Sequence, residues 1–359
     1  MKKALSLLCA ALLLLSVCVP RAGAADEPAP EQKTAVITDL LGRRVTVPLP
    51  ASRAAALGET GRWLVYAGAA DRITGVTDRA RQGEEETPWI YINRMLFDEA
   101  DPVSDGKTPE LLYLEELVVM DPDVIFWDTD DRRAADELSE TLQIPVVVLH
   151  VRDLTDPRLI RAVRLAGLVM GTSDRAEPAA DALRDALQDI RRRVDAAETR
   201  PACYIAGAGA EEFTASIGSY ETLELLSAGN VVPEEGLRTV EKTDVAAVDP
   251  DVILVCPGAA EALRRDYAAD ARYYQKLTAV TNGRIYTVPG LFRTGAEPEL
   301  LLADAWYLGS VLYPEEFADV DPEAAARELF RRLNVGGYYH FVRSWGDRGA
   351  LELAPAEEP

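Results

Sequence analysis

The stretches "MDPDVIFW" (residues 120–127) and "VDPDVILV" (248–255) spell nearly the same eight letters 128 residues apart in a chain of 359. In each, an apolar run meets an aspartate, then a proline that fixes φ and forbids continuation of a helix, then a second aspartate and a β-branched run suited to a sheet. Each phrase is therefore a helix-to-strand turn. A turn written twice at this distance predicts two similar lobes.

Working outward, each block alternates strands with helices. The first has "RVTVP" and "RAAALG" as strands, a helix in "ETGRWLVYAGAADRI", the strand "ITGVT", a long loop from Arg79 to Thr108, a helix in "PELLYLEELVVM", and the strands "DVIFW" and "PVVVLHV" around the helix "RAADELSETLQ". The second has "ACYIAG", the helix "YETLELLSAG" stopping at Gly229, the short helix "KTDVAAV", then "DVILVC", the helix "YYQKLTAV" and "GRIYTVP". Such βα alternation predicts an α/β protein with mostly parallel sheets. Between the blocks, Ala182, Leu183, Ala186, Leu187 and Ile190 recur at helical spacing, so the connection is a rod-like helix. The expected organisation is a lobe over 35–172, a linking helix over 173–199, a second lobe over 200–345 and a tail over 346–359.

The first residues predict export. Lys2 and Lys3 precede an apolar run that ends at Pro20 and the small residues Ala22-Gly23-Ala24, the pattern of a signal peptide over 1–24. A lipoprotein acylated at Cys18 is the rival, although Val17 is large for the residue before such a cysteine. Loss of the leader removes Lys2, Lys3 and Arg21 and no acid, taking the formal charge from −22 to −25. A surface this acidic repels phosphate backbones, so nucleic acid is not an expected partner. The mature chain keeps Cys203 and Cys256, which start and end different strands and so lie beyond disulfide reach in a parallel sheet.

The order of "DLLGRRVTVP", "AADRITGVTD", "LEELVVMDPDVIF", "IPVVVL", "VDPDVILV", "LTAVTNGRIYTVPG" and "ADAWYLGSVLYPEEFADVDPE" resembles the substrate-binding proteins of ATP-binding-cassette (ABC) importers, in the group that takes up ferric siderophores, haem and cobalamin. The resemblance covers essentially the whole mature chain. It implies two Rossmann-like α/β lobes joined by one long backbone helix, with a ligand cleft between them and modest hinge closure. It also implies an extracytoplasmic receptor, expected to be monomeric, that captures an iron complex or corrinoid for a permease. The metal chelate is then a bound ligand, and no resident cofactor is expected. In this family one acidic residue per lobe pairs with permease arginines. Glu115 matches the first by its spacing to "DPDVI", and Glu221 and Glu224 both stand for the second.

Ligands of open α/β sheets sit beyond the carboxyl ends of the strands, so candidates are sought in the loops leaving them. "GETGRW" offers Glu59, Thr60, Arg62 and Trp63. The long loop offers Trp89, Tyr91, Asn93 and Arg94, able to stack on a ring system and pair with its carboxylates, while "GEEE" reads as a solvated charge run. "FWDTDD" places Trp127 and Asp128 at a strand mouth, "ASIGSYE" adds Ser216, Ser219 and Tyr220, and "GLFRTGAEPE" adds Phe292, Arg293 and Glu297. Arg94 and Arg293 lead as contacts to an anionic ligand.

Only two histidines exist, far apart in sequence, so a bare-metal site of several histidines lacks its ligands. His150, ending "VVVLH", is either a structural histidine or an axial ligand to haem, and His340 reads as packing. An oxyanion such as molybdate, held by Thr60, Ser216, Ser219 and backbone donors, is the alternative ligand. Outside the class stands a signalling or adhesion module on the same fold. An enzyme is disfavoured: "GAGAEE" has Glu212 where a third dinucleotide-loop glycine belongs, and no G-x-S-x-G elbow is present.

Overall fold

Parallel strands need crossover connections, and helices supply them throughout this chain. The computed structural model describes residues 33–85, 87–107, 110–232, 234–256, 258–288, 297–339 and 348–353. Lobe one opens with an antiparallel hairpin of β1 (Thr34–Thr38) and β2 (Arg44–Pro48). It continues through β3 (Ala54–Leu57), α1 (Gly61–Tyr66), β4 (Ile73–Thr77), α2 (Asp78–Arg81), α3 (Pro88–Glu99), β5 (Asp101–Ser104), α4 (Leu114–Met120), β6 (Val124–Trp127), α5 (Arg132–Leu142), β7 (Val146–Val148) and α6 (Leu159–Met170). The long α7 (Ser173–Ala196) follows, burying the apolar stripe read from the sequence. Lobe two comprises β8 (Ala202–Ala206), β9 (Ala215–Ile217), α8 (Glu221–Leu225), β10 (Gly229–Asn230), β11 (Leu237–Thr239), α9 (Lys242–Val248), β12 (Val252–Val255), α10 (Ala259–Ala269), α11 (Ala271–Tyr274), α12 (Thr278–Thr281) and β13 (Ile285–Thr287). The buried α13 (Pro298–Leu312), α14 (Pro322–Arg332) and a short antiparallel β14 (Gly349–Ala350) close it.

The lobe-one sheet is parallel in the order β5-β4-β3-β6-β7, and the lobe-two sheet runs β10-β8-β12-β13-β14. In both, the D-P-D-V-I strand lies against the lobe's first sheet strand and reverses the strand order. The reversal is a topological switch point, the place where open α/β sheets hold ligands.

The repeated turn is the same device in both lobes. Asp121 and Asp249 end α4 and α9 in the left-handed region, at φ 48° and 50°, a conformation aspartate tolerates better than most residues. The second aspartate does more than turn. Asp123 accepts from Ser52 N and Oγ at 2.7 and 2.8 Å and from Arg53 N at 3.0 Å, and its own N–H donates to Arg53 O. Asp251 repeats this, accepting from Ala202 N at 2.8 Å while its N–H donates to Ala202 O at 2.9 Å. Each pair staples the entry of β6 or β12 to the entry of β3 or β8 and sets the register, Ala54 opposite Val124 and Cys203 opposite Val252.

Alternation along the strands then builds the cores. Ala54 and Ala56 face one apolar cluster and Ala55 and Leu57 another, while Val252 and Leu254 join the first and Ile253 and Val255 a third. The first cluster is shared, containing α6, α7, α13 and α14 with one face of each sheet. Cys203 and Cys256 are free and buried at opposite ends of the paired β8 and β12, as expected, and burial pushes both thiols up to about 12.

Three expectations are corrected. The span 79–108 is not one long loop: Pro88 starts α3, and Trp89, Ile90, Asn93 and Phe97 bury a stripe at near-helical spacing. The segment "YYQKLTAV" is broken into α11 and α12. The helix "YETLELLSAG" stops at Leu225, short of Gly229, which begins β10. A further helix, α13, had no signal in the periodicity. It is apolar nearly all round, and even Glu299 and Asp304 on it are buried, so no polar face marks it.

Those two carboxylates tie α13 to both lobes. Tyr66 of α1 donates to Glu299, and Tyr220 donates to Asp304 at 2.8 Å, with Arg348 on the other oxygen at 2.9 Å. Burial, then the neighbouring Glu297, pushes Glu299 up from 4.5 to about 7, and burial pushes Asp304 up to about 6. A raised acid keeps its proton when folded over a window where the unfolded chain has released it, so stability is highest below that window and falls as pH rises through it. For Glu299 the loss above pH 7 is on the order of 3 kcal/mol. Urea midpoints of the wild type should fall between roughly pH 5 and pH 8, and Glu299→Gln should flatten that fall; an unchanged slope would contradict this burial argument.

Candidate functional site

At the carboxyl end of the lobe-one sheet, the chain leaves β3, β4, β5, β6 and β7 within one cluster of polar side chains. Its centre is Glu110, a half-buried carboxylate that the sequence reading did not single out. It accepts from Gly58 N at 2.9 Å, from Trp127 Nε1 at 2.9 Å and from Ser104 Oγ, so it links the ends of β3, β6 and β5. Burial raises its pKa against the three donors, which favour the charged form. The Trp127 ring, half-buried, is thereby fixed in orientation.

Next to Trp127, Asp128 Oδ1 lies 2.7 Å from His150 Nδ1, and both side chains remain about a quarter exposed, at 22% and 24%. The Leu149 N–H donates to Trp127 O at 3.0 Å, which extends the β6–β7 ladder and sets the two residues side by side. The Asp128 hydrogen bond, against partial burial, raises the histidine's pKa.

A second network contains the arginines. Glu59, just past β3, receives Arg62 at 3.0 Å and Arg79, which follows β4. Arg79 also reaches Glu84 at 2.6 Å and Thr87 at 3.1 Å, and Arg62 lies 3.9 Å from Glu297. Burial works against the Arg62 charge, but Glu59 and Glu297 outweigh it and hold its pKa above the ordinary value. Glu84 is thus an ion-pair partner, which corrects the reading of "GEEE" as a solvated run.

The predicted residues fall into distinct environments. Glu59, Trp127 and Asp128 are partly exposed at strand ends. Thr60 is fully buried and its hydroxyl lies 2.9 Å from Leu57 O and 3.2 Å from Phe126 O, so it neither caps α1 nor lines an open surface. Trp63 and Trp89 are core residues, 3% and 2% exposed, Trp63 edge-on to Tyr66 and Trp89 edge-on to Phe97. Asn93 is turned back to Trp89 O at 2.8 Å, whereas Arg94 is exposed on the other side of α3 and lies over Tyr91, 4.8 Å from its ring. The four residues expected on one loop are therefore divided by a helix between core and surface.

In lobe two, Ser216 is buried and donates to Ile205 O at 2.6 Å, Tyr220 is the buried partner of Asp304, and Ser219 is half-buried. Phe292, Arg293 and His340 lie outside the described residues, as does the expected signal peptide. Of the docking candidates, Glu115 and Glu224 are exposed, while Glu221 accepts from Leu154 N of lobe one at 2.9 Å. Among the described residues no three histidine, cysteine, aspartate or glutamate side chains converge as a metal site, and no helix is long and apolar enough to cross a membrane.

Each α/β lobe carries a switch point at its strand ends, the place where open sheets of this kind hold ligands. The comparisons agree. Residues 59–290 match the family described as periplasmic binding protein, and the chain belongs to that family. Family membership implies an extracytoplasmic location and a role as the solute-binding component of an ABC importer. Among solved structures, a periplasmic solute binding protein from Veillonella parvula DSM 2008 is similar over 84% of this chain and 93% of its own, at 19% identity and a TM-score of 0.67. A TroA-like periplasmic binding protein FepB from Veillonella parvula is similar at 22% identity and TM-score 0.63, over 83% and 95% of the two chains. The molybdate periplasmic binding protein MolA of Haemophilus influenzae is similar at 21% identity and TM-score 0.58, over 88% and 100%. At these identities the likeness shows the two-lobed fold. No curated protein sequence matches the chain.

If Glu110 orients the indole as argued, Glu110→Ala should free the Trp127 ring and leave the Gly58 N–H and Ser104 hydroxyl without their acceptor. A red shift in tryptophan emission and a loss of about 1–3 kcal/mol in urea unfolding are expected. Unchanged emission would mean that the carboxylate does not hold the ring.

Proposed function

We propose that this protein captures a preformed metal chelate, an iron complex or a corrinoid, and presents it to an ABC importer permease. The observation that carries the reading is Trp127, an aromatic wall held at the switch point by Glu110 and bordered by the Asp128–His150 pair. Ligand pockets combine such a wall with a few fixed polar groups. Capture is then an affinity problem: the lobes bring strand-end side chains to one cleft, and no bond of the cargo need break.

The oxyanion alternative is less well supported, because the hydroxyls of Thr60 and Ser216 are engaged with backbone carbonyls. Anionic groups on a chelate would instead meet Arg79, which sits at the strand ends between two carboxylates, or the exposed Arg94. For docking, the exposed Glu115 and Glu224 are the pair that fits, and Glu221 serves as a contact between the lobes.

Fluorescence titration of the mature chain with a ferric catecholate, haemin, cobalamin and molybdate tests the reading. Saturable quenching by one metal complex is expected, and Trp127→Phe should lower its affinity about tenfold, or ~1.4 kcal/mol. Silence toward all three metal complexes from a folded protein would refute the claim. In a reconstituted importer, Glu115→Lys or Glu224→Lys should abolish stimulation of ATP hydrolysis while leaving cargo affinity unchanged; Glu221→Gln should alter cargo affinity instead. Full stimulation by both lysine variants would remove these residues from the docking surface.

A further inference from the structure

We infer that lobe two carries a second ligand site, on the flank of its sheet and apart from the cleft, for a small organic cation with an apolar body. A hollow of about 430 Å³ lies between α9 and the excursion that the chain makes from β10 through β11, within the roughly 300–1000 Å³ of small-molecule pockets. The sequence explains why it forms. β10 is only two residues long, and at its end the Asn230 side chain donates to Ile217 O at 2.9 Å and accepts from Val232 N at 3.0 Å. The chain thus turns off the sheet edge at Val231 and Val232, pairs as β11 with β9, and enters α9, leaving the space beside Tyr204 open.

The hollow is apolar within and acidic at its rim. Tyr204 is fully buried at the middle of β8, and its hydroxyl donates to Phe213 O at 2.6 Å, so the ring is what it offers a ligand. Val232, Val240 and Val245 continue this lining, and Val248 stands at the mouth. Val248 is 53% exposed and Leu237, on the bordering β11, 58%; among the described residues of lobe two these are the large apolar side chains most open to solvent. An apolar ligand would cover such surface and release its water.

Charge selects the ligand's sign. Glu234, Glu241 and Asp244 line the hollow against one base, Arg238, and Arg238 is held by Glu234 at 2.9 Å. The nearby Lys242 is paired with Asp266 at 2.7 Å. Glu241 and Asp244 therefore make no ion pair among the described residues. An ammonium on an apolar body satisfies both the lining and the rim, whereas the carboxylates of a chelate would be repelled. Tyr204 sits in mid-strand and α9 leads into the start of β12, so the hollow lies beside the strands and not beyond their carboxyl ends. The site is independent of the cargo reading.

Phenethylamine and its anionic counterpart phenylacetate, titrated calorimetrically into the mature protein, test the inference. The amine should bind saturably, more weakly as salt rises, and phenylacetate should not bind. Val245→Trp fills the interior and should abolish the binding heat. Val248→Trp occupies the exposed mouth without disturbing the core and should weaken binding about tenfold. Neutralising both free carboxylates, Glu241→Gln with Asp244→Asn, should weaken it about fivefold. Affinity for metal complexes in the fluorescence titration should be the same in every variant. Absence of saturable amine binding overturns the inference, as does equal binding of amine and phenylacetate. Undiminished amine binding by a Val248→Trp protein with native circular dichroism overturns it as well. Competition between the amine and haemin would place the amine in the cleft, and would overturn it too.

Discussion

The carboxylates of Asp123 and Asp251 are the constraint on which the remaining geometry depends. Each accepts N–H groups from the chain entering the lobe's first sheet strand while the same residue's N–H donates back to that chain. A parallel ladder has no hairpin to set its register, and a slip of one residue would exchange every side chain between the sheet faces. The staple removes that freedom at the entry of β6 and β12. Trp127 and Asp128 then emerge opposite and beyond Leu57 because four paired positions separate them from the anchored end.

From that register follow both the cores and the site. The strands next to the switch points are buried on two faces, so their side chains are spent on packing, and chemistry is confined to the residues just beyond each strand. Glu110, Asp128 and His150 occupy such positions in lobe one. The hinge region is also polar in an unusual way: Tyr66–Glu299 and Tyr220–Asp304 fasten one buried helix to both lobes. A helix shared in this fashion joins α7 in the core common to both lobes.

The fold was legible in the sequence because its signals are local. A proline between aspartates stops a helix wherever it occurs, and β-branched runs of four or five residues read as buried strands. α13 escaped because a helix buried on every side has no amphipathic period to detect. The site was legible only in part. Trp127 and Asp128 were found by position, at the mouth of a strand. Trp63 and Trp89 were chosen as aromatic walls, and residue type does not distinguish an aromatic wall from an aromatic core; Tyr220 was chosen by position like Trp127, but its side chain is buried against Asp304. Thr60 and Ser216 were chosen as donors, but whether a hydroxyl is already engaged depends on the carbonyl opposite it, which only the tertiary structure supplies. Arg79 and Glu110 were passed over because their partners are distant along the chain: Glu59 is twenty residues from the arginine, and Gly58 is fifty-two from the glutamate.

A crystal structure of the mature protein grown with haemin would test the central claim, capture of a chelate at the switch points, most directly. The account predicts the complex between the lobes, beyond the carboxyl ends of β3, β6 and β7, with its ring system against Trp127. A complex bound on the outer helices, leaving Trp127 and the Asp128–His150 pair in solvent, would contradict it.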